Sequence, residues 1–419
     1  FTSVTVNRDS ERKPISSANR TNVAKIYDYY GASGKIDKID KFIFNEKLLL
    51  IGEDGANLVT RSKPIAFFAE GQYWVNNHAH CIDSTDKLIL EYLCLYINAI
   101  SLEKYVTGSA QPKMTQDNMN SILIALPPYE EQKRLEFQVN HILKTVSTIE
   151  NEKEDIVNYI ISAKSKILDL AIRGKLVPQD SNDEPASVLL ERIRAEKEEL
   201  IKQGKIKRDK KESIIFKGED NSYYEKVGAE IRCIDSEIPF EIPDGWMYER
   251  LGNICSIARG GSPRPIENYL TDDENGLNWI KIGDTEQGGK YIYSTKEKIR
   301  PEGLSKTRYV CSGDFLLTNS MSFGRPYILR TNGCIHDGWL VIGGIEIAFH
   351  QDYLYYMLSS SIMYNALSSL AVGSTVKNLK SDSVKSLLVP IPPLAEQACI
   401  SRQIENYFAT MLPIERSLS

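Results

Sequence analysis

The 419-residue chain is poor in the residues that most often advertise chemistry. It has five histidines and seven cysteines, at positions 81, 94, 233, 255, 311, 334 and 399, with no C-x-x-C spacing. An odd, scattered set argues against a disulfide framework or a zinc ribbon and points to a reducing cytosol. No stretch reaches the roughly 18 unbroken apolar residues of a membrane span, and no signal peptide opens the chain. Phe1 is not an initiator methionine, so some N-terminal sequence is expected to be missing. No Ser-His-Asp or Cys-His grouping has defensible spacing. A glycine-rich strand-to-helix turn of the nucleotide-binding kind is also lacking, since Gly31-Ala32-Ser33-Gly34 reads as a turn between strands.

Excess positive charge is missing too. The net charge is −5, and residues 1–128 carry 14 basic and 14 acidic side chains, while residues 246–419 carry 17 of each. The whole deficit therefore lies in the middle. Neutral flanking regions can bind DNA through a local face but not tightly alone, because phosphate neutralisation supplies most non-specific affinity. A basic partner would then be needed.

What the chain does have is a duplication. Residues 108–150 and 373–415 align without a gap at a constant offset of 265. Gly108-Ser109 matches Gly373-Ser374, Asp117 matches Asp382, and Ser121 matches Ser386. Pro127, Pro128, Glu131 and Gln132 match Pro392, Pro393, Glu396 and Gln397, and Ile149-Glu150 matches Ile414-Glu415. The offset is too long for a solenoid, whose period runs from roughly 20 to 50 residues. It marks two copies of one domain plus its connecting element, and hence two equivalent sites.

Four regions follow. The first repeat domain, 1–128, alternates short β-rich runs (42–44, 48–51, 65–68, 73–75) with turns, one helix at 87–100 and a closing strand at 121–126. The second, 246–393, reads alike: strands at 253–258, 279–282, 315–318, 327–330 and 339–342, a helix at 352–367 and a strand at 386–391. Strands with few helices and no βαβ rhythm indicate an α+β class. Residues 129–245 form a helical spacer and linker, with a short helix from Glu130 and a long one over 144–172. Ile142, Val146, Ile149, Ile156, Ile160, Ala163, Ile167 and Leu170 alternate steps of three and four, a coiled-coil seam. A second helix is expected over 185–203, with Gly204 as its stop. Residues 394–419 begin a second such region, and the partner of the long helix is expected to be absent, supplied by the missing N-terminus or provided by another chain.

Several constellations have plain alternatives. Leu126-Pro127-Pro128-Tyr129 resembles the Asn-Pro-Pro-Tyr loop of adenine-N6 methyltransferases, but Leu126 offers no acceptor and the second copy reads Ile391-Pro392-Pro393-Leu394. The motif is better read as a strand-to-helix corner. His78 and His80 share one strand face beside Cys81 yet lack a third and fourth metal ligand, leaving polar contact or ordinary surface. The basic run Lys205, Lys207, Arg208, Lys210 and Lys211 reads as a solvated linker or a backbone contact.

Polar loops are more suggestive. The first domain offers Arg8, Arg12, Arg20, Asn57, Arg61, Asn76, Asn77, His78, Gln111 and Lys113. The second offers Arg259, Ser262, Arg264, Lys281, Asn319, Ser322, Arg325, Lys377 and Asn378. Arg and Lys pair with guanine edges and Asn and Gln with adenine edges, each good bidentate contact giving roughly 1–3 kcal/mol of discrimination. Glycines beside them (Gly55, Gly260, Gly261, Gly324, Gly373) would let the backbone approach phosphate.

Taken with the segments 170–180, 183–197 and Ile242-Pro243-Asp244-Gly245-Trp246 through Leu251-Gly252, the doubled Pro-Pro-x-x-Glu-Gln pattern resembles the specificity subunits of Type I restriction–modification enzymes. The resemblance covers nearly the whole chain. It implies two target-recognition domains related by a pseudo-twofold, each reading half of a split site in double-stranded DNA. Helices including Ile149, Ile156, Ile160, Ile167 and Leu170 would set the gap and dock two modification subunits. Those subunits would use S-adenosylmethionine to methylate adenine, and separate restriction/motor subunits would use ATP. The chain itself would be cytoplasmic, non-enzymatic and without cofactor or metal. One departure is that the first domain lacks a counterpart of Trp246 to Gly252. A specificity subunit for another methyltransferase–nuclease arrangement, or a two-domain protein scaffold that does not bind DNA, would be the alternatives.

Overall fold

Strands form where β-branched and aromatic residues cluster, and helices where apolar residues recur every three or four positions. The computed structural model describes residues 1–108, 111–206, 212–286, 288–320, 323–371 and 378–418. Ser109, Lys207, Arg208, Lys210, Lys211, Ser322, Gly373, Ser374 and Lys377 lie outside them. The chain divides into two units, Phe1–Glu152 and Lys153–Ser419. Both mix strands and helices, as the α+β reading expects.

In the first unit an antiparallel sheet runs in the order Val6–Asn7, Ala79–Asp83, Leu48–Gly52, Ala66–Ala69. A second runs Gly34–Ile39, Tyr27–Gly31, Gln72–Val75, Phe44–Asn45, and its Tyr27–Gly31/Gln72–Val75 pair is parallel. The strand Leu48–Gly52 is buried throughout. Leu49 and Ile51 pack with Ile82, Leu90, Leu93 and Ile97 on one side. Leu48 and Leu50 pack with Phe44, Tyr73, Val75 and Cys81 on the other. Burial on both faces explains why this strand reads as a continuous apolar run. Asp86 caps the helix Lys87–Ala99 by accepting from the Leu88 N–H.

The second unit repeats the topology. Its antiparallel core runs Ser256–Arg259, Trp339–Gly343, Phe315–Thr318, Pro326–Leu329, with Tyr291–Ile292 added in parallel at the edge. The other sheet runs Leu270–Thr271, Glu297–Ile299, Leu277–Ile280, Gly333–Ile335, Arg308–Val310, and its Leu277–Ile280/Gly333–Ile335 pair is parallel. Several elements differ from the sequence reading. Residues 253–258 split into a helix, Leu251–Ile254, and a strand from Ser256. The helix expected at 352–367 is two helices, Gln351–Ser359 and Ser361–Leu370, because Ser360 turns extended and accepts from the Met363 N–H. The linker holds an unexpected three-stranded antiparallel sheet, Ser213–Lys217, Tyr223–Val227 and Glu230–Cys233. Residues 121–126 are not a strand. In the second unit Leu388–Ile391 pairs with Met247–Arg250, whereas the carbonyls of Leu123 and Ala125 accept from the Tyr96 and Tyr92 hydroxyls.

The repeated motif is a corner, as expected. Gln132 donates from Nε2 to the Pro127 carbonyl at 2.8 Å, and Gln397 to Pro392 at 3.1 Å. Ser121 Oγ donates to Asn118 at 2.7 Å, and Ser386 Oγ to Ser383 at 2.9 Å. The glutamines tie the corner to the first turn of the helix that follows, and the serines close the last turn of the short helix before it. The second copy also explains the segments around it. Buried Glu396 accepts from Trp246 Nε1 at 2.8 Å and from Gln179 Nε2 at 2.6 Å.

No break follows the first corner: Tyr129–Ile172 is one helix of 44 residues, about 66 Å long at 1.5 Å per residue. Gly174 ends it at φ +66°, with Lys175 N–H on Leu170 and Gly174 N–H on Ala171. The seam is only partly used. Ile149 and Ile156 are 59% and 40% exposed, while Ile160 and Leu168 are 8% exposed. Ile167 is partly buried, and Leu168, Ala171 and Ile172 rather than Leu170 enter the core. A straight helix drifts from a 3.5-residue repeat, which accounts for the displaced stripe. Residues 394–419, expected to begin a second helical region, form the helix Leu394–Leu418. Lys164 meets Glu415 at 2.6 Å and Gln179 meets Glu396 at 2.6 Å, so it runs antiparallel to the end of the first. The helix expected over 185–203 is Ala186–Lys202.

Candidate nucleic-acid interface

The strand ends of each unit carry a turn that the sheets hold in place. In the first unit it is Asn76-Asn77-His78, leading into the strand Ala79–Asp83. Asn76 N–H donates to Tyr30 at 3.1 Å, Glu53 N–H to His78 at 2.9 Å, and Met114 N–H to Glu53 at 2.7 Å. In the second unit His336 N–H donates to Ile280 at 3.1 Å, Asn319 N–H to Gly338 at 2.9 Å, and Leu379 N–H to Asn319 at 2.9 Å. The side chain at the turn's start closes it in both: Asn76 Oδ1 accepts from His78 N–H at 2.8 Å, and His336 Nδ1 from Gly338 N–H at 2.9 Å. Backbone frames thus match while side chains are exchanged: Asn76-Asn77-His78 against His336-Asp337-Gly338, and Glu53 against Asn319.

Several second-unit candidates converge on this turn. Ser262 Oγ donates to Asp337 Oδ1 at 2.9 Å, and Arg264 reaches Oδ2 at 3.3 Å. Arg259 Nε and Asn319 Nδ2 each donate to the Asp337 carbonyl at 2.8 Å. His336 Nε2 lies 3.1 Å from Asp337 Oδ1. Since Nδ1 accepts from Gly338, Nε2 carries the proton and donates. Burial, outweighing the neighbouring Asp337 carboxylate, depresses the His336 pKa. Burial also pushes Asp337 up, but Ser262, His336, Arg259 and Arg264 together hold it below the usual carboxylate range. A cavity of about 620 Å³ opens here between Ser262, Arg264, Trp279, Lys281, Glu297 and His336. Lys281 is ion-paired to Glu297. Arg325 is exposed, with its N–H on Thr318 Oγ1, and Asn378 is half-buried.

First-unit candidates scatter more. Arg8 pairs with Glu11, Glu46 and Asp83. Arg12 binds the Ala79 carbonyl, Glu53 and Asp9. Arg20 bridges Ile15 and Asp37 and lies over the Tyr29 ring. Arg61, at φ +51°, donates to the carbonyls of Ile97, Asn98 and Ile100, ending the helix Lys87–Ala99. Asn57 closes a turn onto Lys63. These guanidiniums and this amide are committed to the fold. His80 is buried between Asp9 (2.6 Å from Nδ1) and the Met114 carbonyl (3.0 Å from Nε2). Burial raises the Asp9 pKa, but His80, the Cys81 N–H and Arg12 outweigh it and bring the carboxyl below its usual range. That leaves Asn77 and Gln111 exposed, His78 on Asp54 at 2.7 Å, and Lys113 on Glu53 at 3.1 Å. Among the described residues no cluster of His, Cys, Asp and Glu could hold a metal, and no helix is long and apolar enough to cross a membrane.

A frame built twice, each time presenting different polar side chains, invites comparison with known recognition proteins. Residues 6–168 and 243–418 match the family described as "Type I restriction modification DNA specificity domain". The chain belongs to that family. Among specificity subunits of Type I restriction enzymes from Escherichia coli, EcoEI is 32% identical over 266 residues, covering 60% of this chain and 39% of its own. EcoAI is 46% identical over 133 residues, covering 31% of this chain and 18% of its own. The matched segments thus span well under half of those relatives. A chain from a solved type I R-M system aligns over 99% of this chain and 92% of its own, with a TM-score of 0.55 at 15% identity. That likeness supports the fold. For a Type I specificity-domain protein, the residues overlooked in the sequence are Asp337, His336, Asp54 and Glu53. The turn repeats at an offset of 260, outside the gapless 265 alignment, so only strand pairing reveals the equivalence.

Proposed function

We propose that this chain is the non-catalytic DNA-reading subunit of a Type I restriction–modification complex in the cytoplasm. Its two recognition domains, 1–128 and 246–393, each read one half of a bipartite site. The long helices over 129–172 and 394–418 set the unread gap and dock two methyltransferase subunits, which bind S-adenosylmethionine. Restriction subunits use ATP. The observation that carries this reading is the matched turn: the same backbone hydrogen bonds at the strand ends of both units, with different polar side chains. Duplicated frames with exchanged side chains suit two readers of different base edges.

Balanced charge explains why the subunit would need company. Many of its arginines are internally paired, so phosphate neutralisation must come largely from the methyltransferase subunits. Exposed Ile142, Val146, Ile149 and Ile156 offer them an apolar stripe. The test is binding to random-sequence duplexes, with and without a co-purified methyltransferase partner, across a salt series. Salt-dependent, sequence-selective binding is expected only with the partner. Binding by neither preparation, while the partner still associates, would make the chain a protein scaffold instead.

A further inference from the structure

We propose that the turn at 76–78 and its counterpart at 336–338 are the specificity-determining positions of the two readers. Asn77 would read an adenine edge in one half-site and Arg264, held by Asp337, a guanine edge in the other. The inference rests on the DNA-reading function and names the chemistry at that site.

The argument starts from what is constant. Three backbone hydrogen bonds and one side-chain closure recur at each turn, with corresponding lengths within about 0.2 Å. A frame maintained so closely does not distinguish the units; only the side chains mounted on it do. In the first unit Asn77 is exposed and makes no side-chain hydrogen bond among the described residues, while its neighbours Asn76 and His78 are bonded. An amide carries a donor and an acceptor side by side, the pattern that matches adenine N6 and N7.

In the second unit the same position is Asp337, which would repel phosphate and base acceptors if left bare. It is not bare. Ser262 occupies one carboxylate oxygen, Arg264 approaches the other at 3.3 Å, and Arg259 and Asn319 take its carbonyl. The Arg264 side chain is 80% exposed despite that contact. Its guanidinium therefore has donors left for a ligand, and two parallel donors match guanine O6 and N7. Asp337 is a positioning residue: it restrains the arginine without covering it. Arg264 also borders the cavity with Trp279 and His336, which gives an inserted base edge a floor.

The experiment is selection of bipartite sites by the chain with its methyltransferase partner, for wild type, Asn77→Ala, Arg264→Ala, Asp337→Asn and Arg264→Ala/Asp337→Asn. Arg264→Ala should lower discrimination at one guanine of one half-site by about 5- to 150-fold, with the other half unchanged. Asn77→Ala should do the same at one adenine of the opposite half. Asp337→Asn should relax the guanine position more weakly, and the double variant no further than Arg264→Ala alone. Ser262→Ala gives a second perturbation of the clamp if Asp337→Asn unfolds, judged by thermal melting. Uniform weakening on all sequences by Arg264→Ala would make it a phosphate contact and overturn the assignment. So would changes in both halves from either single variant. A wild-type complex that selects no bipartite sequence would instead defeat the underlying DNA-reading function.

Discussion

Glu225 shows how single residues fix this molecule's pH limits. Its carboxylate accepts from Arg250, Ser213 and Arg232 while its side chain is only 5% exposed. Arg250, outweighing burial, leads the groups that bring its pKa from the usual 4.5 down to about 2. The unfolded chain binds that proton more readily. The stabilisation is therefore complete above about 4.5 and lost as pH falls toward about 2. Glu225→Gln should cost on the order of 1–3 kcal/mol at neutral pH through lost charge-assisted hydrogen bonds, since Arg250 and Arg232 both keep Glu237. It should also flatten the acid limb of the stability profile. Urea midpoints at pH 7, 4 and 3 check both; an unchanged acid limb would remove Glu225 from the account.

At the scale of elements, the long helix is the part whose length should matter. Between 143 and 158 every residue is exposed. Four residues inserted after Glu154 add about 6 Å at 1.5 Å each without cutting into the packed turns beyond Ile160. If the helix sets the gap, the unread spacer in methylated sites should lengthen by one or two base pairs, read by methylome sequencing. An unchanged spacer in an active complex would discard the ruler. The elements also show where sequence patterns stop. Leu48–Gly52 was legible because its apolar run is continuous, and the helix over 144–172 because its period is local, though not its continuity back to Tyr129. Residues 386–391 read as one strand by composition, and pairing with Met247–Arg250 confines it to 388–391. The break at Ser360 was hidden because an apolar period continues through it, and one side-chain cap decides it. The sheet at 213–233 was hidden because its usual alternation is inverted: Glu225 and Arg232 share the face of buried Ile215, while Ile214 and Ile231 are exposed on the other.

For the whole molecule, the expected consequence of duplication is independence. Replacing residues 1–128 with the corresponding region of another specificity subunit should change one half of the methylated sequence and leave the other half and the spacer intact. Methylome sequencing of a host expressing the chimera with its partner checks this, and alteration of both halves would contradict separate readers. Legibility of the candidate site followed the same division. Ser262, Arg264 and Asn319 were picked as polar loop residues, and the structure brings them together. Arg8, Arg12, Arg20 and Arg61 were picked by the same rule, and the structure spends them on internal acceptors. Asp337 was passed over because an acidic residue does not suggest DNA.

The sequence alone determined that one domain occurs twice, where its corners lie, and that a long amphipathic helix follows the first copy. Those features are written in local spacing and in a gapless alignment, which need no knowledge of distant contacts. Tertiary structure alone decided which polar side chains meet, which remain exposed, and that 76–78 and 336–338 are the same turn. The loops between strands differ in length, so the offset drifts from 265 to 260, and hydrogen bonds between distant strands restore the match.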